Sequence, residues 1–359
     1  RMDTNSFPSG KGPFPDGNQL LTPRSVQFLP AVKQSGDIMN ILVTGAAGYI
    51  GSHTSKLLKK AGHVPVAFDN LSNGWAEWVK FGPFAFGDIR DEEALFRALS
   101  SFNIEAVIHF AAKAYVEEST RLPDLYFDNN VNGTISLIRA MKRAGTKILV
   151  FSSSCASYGN AKTSTIREDH PQAPTNPYGL SKLMCEQVIS STAPVFGLRY
   201  AMLRYFNVIG NDPDGEIFER HEPETHVLPN LIKAAMSGGS FSLFGTNHDT
   251  ADGTAVRDYV HVMDLGQAHI RAISELSTRE RLVSNVGTGA GVSVRELIGI
   301  VEKELGVRVN VEEKPIRPGD PPRLVADNGY LRTWFDHAFR SAGQAVMEMA
   351  DKIPLRTEG

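Results

Sequence analysis

From residue 39 to residue 205, short apolar runs alternate with stretches of helical period, and a glycine-rich turn joins the first run to the first helix. Residues 39–44 form an apolar run of strand length. Then Gly45-Ala46-Ala47-Gly48-Tyr49-Ile50-Gly51-Ser52-His53 opens into a helix reaching about Ala61. Further apolar runs stand at 64–68, around Ala85, and at 106–109, 147–151 and 199–204. Helical stretches lie between them, including 91–99, 123–144 and one entered at Pro177. This alternation predicts an α/β fold, a Rossmann-type doubly wound parallel sheet, over residues 39–206. A run at 282–286 reads as a strand returning to the same sheet. Residues 207–359 change texture and are expected to form mainly a smaller α/β domain that binds substrate.

The turn explains why a dinucleotide is the expected ligand. Small residues at Gly45, Gly48 and Gly51 let a pyrophosphate approach the backbone, and the helix start offers free N–H groups. A tight strand-to-helix turn without a ligand is the simpler alternative. Asp69 ends the second strand, 18 residues past Gly51, where a carboxylate can hold an adenosine ribose. It would repel a 2′-phosphate, which favours NAD over NADP. Asn70 to Gly74 would continue around that ribose. Asp88 could accept from an adenine amino group or simply serve the turn. Phe110-Ala111-Ala112-Lys113-Ala114 follows the fourth strand, and its small residues leave room for a ligand. Asn129, Asn130 and Asn132 add little to a helix, so at least one is expected to bond a loop or ligand.

The chemistry is expected at Asn176-Pro177-Tyr178-Gly179-Leu180-Ser181-Lys182. Asn176 is a plausible cap and Pro177 suits a first helical turn. Tyr178 and Lys182 are four apart and share a helix face. A nearby ammonium favours phenolate, so Tyr178 could work as an acid/base group near neutral pH. A half-buried ring beside a solvated charge is the plainer reading of the pair alone. Ser154, at the end of the fifth strand, makes Ser154, Tyr178 and Lys182 a plausible catalytic set.

Composition narrows the classes. The apolar fraction is 42%, the charged fraction 21% and the net charge −3, with no long charged block. Nucleic acid and membrane surfaces are therefore not expected partners. No apolar run approaches a membrane span. Two cysteines, Cys155 and Cys185, cannot build a disulfide framework, and no CxxC spacing suggests a metal, so none is expected. A reducing cytoplasm fits. Residues 1–38 are proline-rich and aperiodic, and read as a disordered extension with Met39 a credible natural start.

Beyond Phe206, residues 209–224 read as a loop. A helix is expected near 228–236, a strand at 240–244, and a loop from Gly253 leading into a strand at Val260. Helices are also expected at 294–305 and after Asp327. Arg257 and Arg317 are candidate clamps for a diphosphate. From the residues alone an ordinary surface ion pair is the preferred reading of each.

The runs VTGAAGYIGSH, DNLSNG, GDIRD, HFAAKAYVEES, DNNVNGT, FSSSCASYG, NPYGLSK, LRYFNVIG, DPDGEI, DGTAVRDYVHVMDL and RPGDPP occur in order between residues 43 and 322. In them the chain resembles the extended short-chain dehydrogenase/reductase family, the NAD-dependent epimerase/dehydratases, and its UDP-hexose 4-epimerase branch most closely. The resemblance implies a UDP-sugar substrate and NAD retained as a prosthetic group. It implies that Tyr49, Ile50, Asp69 to Gly74 (Asn70 included), Asp88, Ile89, Phe110, Ala111, Ala112, Lys113 and Asn129 hold the cofactor. Ser154 and Tyr178 match the catalytic pair, with Lys182 tuning the tyrosine and bonding the nicotinamide ribose. Phe206 and Asn207 match nicotinamide-wall and sugar-diphosphate positions, Ser242 and Phe244 a uracil shelf, and Arg257, Arg317 and Asp320 the diphosphate and ribose clamps. Leu324 falls at a position thought to gate the sugar pocket. Around His226 and Val227 the likeness is loose and no role is assigned; beyond Leu331 the family tail is hard to follow, and Trp334 is a candidate for part of it. Related dehydratases carry Asp-Glu where Cys155 and Ala156 stand here. Pentose and N-acetylhexosamine 4-epimerases share the pattern and remain alternatives, and a homodimer is expected by resemblance.

Overall fold

The computed structural model describes residues 38–161, 163–317 and 319–352. All of the expected N-terminal extension except Ile38 lies outside them.

In chain order the strands are β1 (Asn40–Thr44), β2 (Val64–Asp69), β3 (Phe84–Phe86), β4 (Ala106–His109), β5 (Ile148–Ser154), β6 (Arg199–Tyr205), β7 (Asn207–Ile209), β8 (Ser240–Phe244), β9 (Val256–His261), β10 (Arg281–Val286), β11 (Gly291–Ser293), β12 (Asn310–Lys314) and β13 (Arg323–Leu324). The helices are α1 (Tyr49–Lys60), α2 (Glu92–Ser101), α3 (Val116–Arg121), α4 (Pro123–Tyr126), α5 (Gly133–Ala144), α6 (Pro177–Phe196), α7 (Val227–Ser237), α8 (Val262–Glu275), α9 (Val294–Leu305), α10 (Gly329–Arg332) and α11 (Ala342–Ala350).

Seven strands form one parallel sheet in the order β10-β6-β5-β4-β1-β2-β3. Its strands alternate their side chains between two apolar layers, as the period of two requires. Ile41 and Val43 of β1 face one layer with Leu58 of α1 and Leu265 and Ala272 of α8. Leu42 faces the other, with Leu95 and Leu99 of α2, Leu137 and Met141 of α5 and Ile189 of α6. Helices therefore cover both faces, and the strands read as nearly continuous apolar runs. The chain leaves β1 toward β2 on one side and reaches β4 on the other. The crevice at that reversal, beyond the carboxyl ends of β1 and β4, is where such sheets take ligands.

The expected return strand is β10, paired with β6 from Arg281↔Tyr200 to Val286↔Tyr205. After β6 come two smaller sheets: β9 pairs with β7, β11 and β13, and β8 pairs with β12. A third apolar cluster joins Leu228 and Leu231 of α7, Leu297 and Val301 of α9 and Val346 of α11.

Three expectations are corrected. Residues 123–144 do not make one uniform helix: a π-helical turn, Phe127–Asn132, lies between α4 and α5. β5 runs past Phe151 and includes Ser154. β9 starts at Val256, which puts Arg257 and Asp258 on a strand rather than in the loop before one.

Candidate active site

The turn after β1 is shaped by contacts that leave no room for side chains. Gly45 has φ +72°, and a Cβ there would stand 2.7 Å from the Ala111 nitrogen. A Cβ on Gly51 would stand 2.2 Å from the Gly45 carbonyl oxygen. Gly48 caps α1 without any side-chain hydrogen bond, and the first turn holds no acidic residue. The N–H groups of Tyr49, Ile50 and Gly51 thus begin a helix whose positive end is not already neutralised, a ready anion site. The Tyr49 side chain faces away: it is buried and its hydroxyl donates to the Gly210 carbonyl. Only its backbone is left for a cofactor role.

Around this turn the structure gathers most of the residues expected to hold NAD. Phe110 N–H donates to the Thr44 carbonyl, which sets Phe110 and Ala111 beside Gly45. The Asp69 carboxylate accepts from Ala47 N–H at 3.0 Å and Leu71 N–H at 2.7 Å, and so ties the β2 loop to the glycine turn. Lys113 reaches Asn73 at 3.0 Å. Asn130, in the π turn, accepts from Lys113 N–H and donates to the Ser181 hydroxyl at 2.9 Å, while Asn129 bonds Asn130. The expected asparagine-to-loop bond is therefore made by Asn130, and it couples the β4 loop to α6. Two of the residues expected there have side chains engaged within the protein. Asp88 is held by Arg90 and Asn70, and the Arg90 guanidinium keeps its carboxyl well below the usual range, so its side chain serves the turn. The Ile89 side chain is core, packed under Gly133, where a Cβ would come within 2.5 Å of it.

Ser154, Tyr178 and Lys182 do converge. Asn176 caps α6 by accepting from Gly179 N–H at 2.9 Å, and Pro177 fills the first position. Lys182 is buried, donates to the Ser152 carbonyl at 2.8 Å and lies 6.0 Å from the Tyr178 ring centre. The electrostatics differ from expectation. Burial pushes the Tyr178 phenol up to about 12, and a hydrogen bond with Ser154 only partly opposes this. Burial also lowers Lys182 to about 8. Desolvation disfavours both charged forms, and the ammonium is aimed at a carbonyl rather than the phenol. Lys182 alone does not make Tyr178 acidic.

Beneath this set lies a buried network that sequence reasoning missed. Arg204, at the end of β6, forms a two-pronged pair with Glu186 of α6, at 2.9 Å and 2.7 Å. It also donates to the Tyr158 hydroxyl, the Glu168 carbonyl and the Gln172 amide oxygen. Glu186 accepts in turn from the Ser153 hydroxyl, next to Ser154. One guanidinium thus binds β5, α6 and the intervening loop together, and it fixes Ser154 relative to Tyr178. Glu186 shares a helix face with Lys182, four residues earlier, which was the available signal.

The remaining expected residues form a continuous line away from Ser154. Cys155 follows it, in a buried cluster with Tyr158 and Phe206, and half-buried Leu324 packs on that cluster. Burial pushes the Cys155 thiol up to about 12. Leu324 is in register with Arg257 on β9. Arg257 pairs with Asp320 at 2.6 Å, and Asp320 N–H donates to the Arg317 carbonyl. The Arg317 guanidinium lies 3.9 Å over the Phe244 ring. Ser242, two residues before Phe244 on β8, lies on the same face of the strand. Asn207 starts β7, beside β9. The ion-pair alternative for Arg257 is realised, but with the very aspartate expected to join it at a nucleotide.

Residues 41–287 match the profile of the NAD dependent epimerase/dehydratase family. The UDP-glucose 4-epimerase of Rhizobium meliloti (strain 1021) is 47% identical over 82% of this chain and 90% of its own length. That of Lactobacillus helveticus is 46% identical over 82% of this chain and 90% of its own. A solved structure of UDP-glucose 4-epimerase from Brucella ovis in complex with NAD superposes with a TM-score of 0.85 at 42% identity, covering 88% of this chain and 98% of that one.

Proposed function

Because the chain belongs to the NAD dependent epimerase/dehydratase family, we propose that it is a UDP-glucose 4-epimerase, interconverting UDP-galactose and UDP-glucose by reversible oxidation at C4. The observation that carries this reading is the meeting of Ser154, Tyr178 and Lys182, with Cys155 and Ala156 next to Ser154 in the chain. A buried thiol of raised pKa and a methyl cannot expel a sugar hydroxyl as water, so the chemistry stops at oxidation and reduction.

In this reading residues 39–206, with β10, form the NAD-binding domain, and residues 207–359, of which 353–359 lie outside the described residues, mainly hold the nucleotide sugar. The glycine turn suits the pyrophosphate, Asp69 and Asn70 the adenosine ribose, Phe110 to Lys113 and Asn129 the cleft between, and Phe206 the nicotinamide wall. NAD held there would supply a hydride acceptor and donor at C4, and its cationic ring would supply the positive charge that the buried Tyr178 phenol lacks. Tyr178, as phenolate, removes the proton of the 4-hydroxyl, directly or through Ser154, and the sugar becomes a 4-ketone. Lys182 orients the nicotinamide ribose. Arg257, Arg317, Asn207 and Asp320 keep the UDP diphosphate and ribose, with Ser242 and Phe244 under the uracil. The keto sugar turns about that tether, and Tyr178 returns the proton once the opposite face has been reduced.

Purified protein should convert UDP-galactose to UDP-glucose without added cofactor. UDP-N-acetylgalactosamine and UDP-xylose, tested separately, decide whether the pocket at Leu324 admits other sugars. Turnover of neither UDP-galactose nor these two would remove the proposal.

Two variants separate the halves of the site. Gly51→Ala should lower NAD retention about 10- to 100-fold, the equivalent of an overpacking cost of about 1–3 kcal/mol. Retention is read by absorbance of the desalted protein. Arg257→Ala should raise KM for UDP-galactose about 10-fold or more, for loss of a charged hydrogen bond of about 1.5–3 kcal/mol, with kcat nearly unchanged. A fall in kcat with KM constant would place Arg257 elsewhere in the cycle. We further place the protein in the cytoplasm as a homodimer, which light scattering of the purified protein tests; among the described residues no helix is long and apolar enough to cross a membrane.

A further inference from the structure

The segment from Gly210 to His226 packs against the cofactor side of the molecule. Trp75 donates to the Arg220 carbonyl, with the Arg220 guanidinium 3.5 Å over its ring, and Phe218 meets Trp78. His221 lies edge-on to both Tyr49, at the glycine turn, and Tyr115, after β4. Within this segment Glu219, His221, Glu224 and His226 each present one ligand atom, all within 4.8 Å of one another.

Several features set this group apart from a solvated acidic cluster. The Glu219 side chain is 0% exposed, yet its Oε2 has no hydrogen-bond partner. His221 Nδ1 stands 3.5 Å from Glu219 Oε1 and 3.4 Å from Glu224 Oε2, and His226 Nδ1 contacts Glu219 Oε1. A tetrahedral zinc with bonds of about 2.0–2.1 Å needs ligand atoms about 3.3–3.4 Å apart; the His221 spacings meet this, and the hydrogen-bonded His226–Glu219 pair would open to admit the ion. Among the described residues, neither Glu219 nor Glu224 has a lysine or arginine partner. A nearby cluster shows the contrast: Asp212, Asp214 and Glu216 surround the Lys56 ammonium at 2.6, 2.7 and 3.0 Å, so their cation is built in.

We propose that Glu219, His221, Glu224 and His226 form a structural zinc site. Two imidazoles and two carboxylates are a donor set that zinc accepts, and four protein ligands close the tetrahedron. The site therefore does no chemistry on the sugar. It fastens the Gly210–His226 segment against Tyr49 and Tyr115, beside the glycine turn.

The test uses the full chain, incubated with zinc chloride, desalted and measured by elemental analysis, with Co²⁺ as a spectroscopic substitute. The expected result is about one zinc per chain and the visible bands of tetrahedral Co²⁺. His226→Ala and Glu224→Gln should each weaken zinc binding about 100-fold in competition with a chromophoric chelator. Asp214→Asn, in the Lys56 cluster, should bind as the parent does. Parent protein that keeps no zinc overturns the proposal without reference to any variant. So does undiminished binding by both His226→Ala and Glu224→Gln, or a Co²⁺ spectrum without tetrahedral bands.

Discussion

Replacing Tyr178 with phenylalanine should lower kcat about 10²- to 10⁴-fold, the usual contribution of a positioned acid/base group. The fold and the retained NAD should survive. The hydroxyl is the only atom removed, and the ring keeps its packing against Tyr126. KM should change little, because the lost interaction is made to the proton in flight rather than to the bound nucleotide. The raised pKa gives a second handle. In protein stripped of cofactor the phenol should titrate near 12, where burial holds it. In protein carrying NAD, activity should rise with pH through a much lower value, because the working form is the phenolate. Near-parent turnover by the phenylalanine variant would take Tyr178 out of the mechanism.

Removing Glu186 should damage the protein itself. Glu186 and Arg204 are 5% and 7% exposed, and Glu186 is the carboxylate paired with this buried guanidinium. Breaking such a pair by deleting one partner costs about 3–5 kcal/mol, because the other charge is stranded out of water. Glu186→Ala should therefore lower the urea unfolding midpoint sharply. Glu186→Leu combined with Arg204→Met, which removes both charges, should recover part of the loss. If the alanine variant unfolds at the parent midpoint, the network is not holding β5 to α6.

The sequence was most informative where a local pattern alone determines local geometry. The glycine turn is one such place, since only residues without a Cβ fit between Gly45 and Ala111. The strand–helix alternation is another, since both faces of the sheet must be covered. The π turn at Phe127–Asn132 escaped notice because one extra residue per turn barely disturbs a helical pattern. The Arg204 network escaped because its partners come from residues 153 to 204 and meet only after β5, β6 and α6 have packed. The pKa of Tyr178 could not be read at all. Charge proximity is suggested by a four-residue spacing, but burial is a property of the whole fold, and here burial dominates. The Glu219–His226 group is different again. Its spacing stood in plain sight, yet a run of Glu, His and Pro looks the same whether it is a solvated loop or a set of ligands. Only the inward turn of Glu219 separates the two.

The central claim is that hydride leaves C4 and returns to the same carbon within one active site. UDP-galactose carrying deuterium at C4, incubated with the purified protein in ordinary water, tests it directly. The account predicts UDP-glucose with the deuterium still on C4 and no accumulation of reduced cofactor. Product whose C4 deuterium has been exchanged for solvent hydrogen would contradict it.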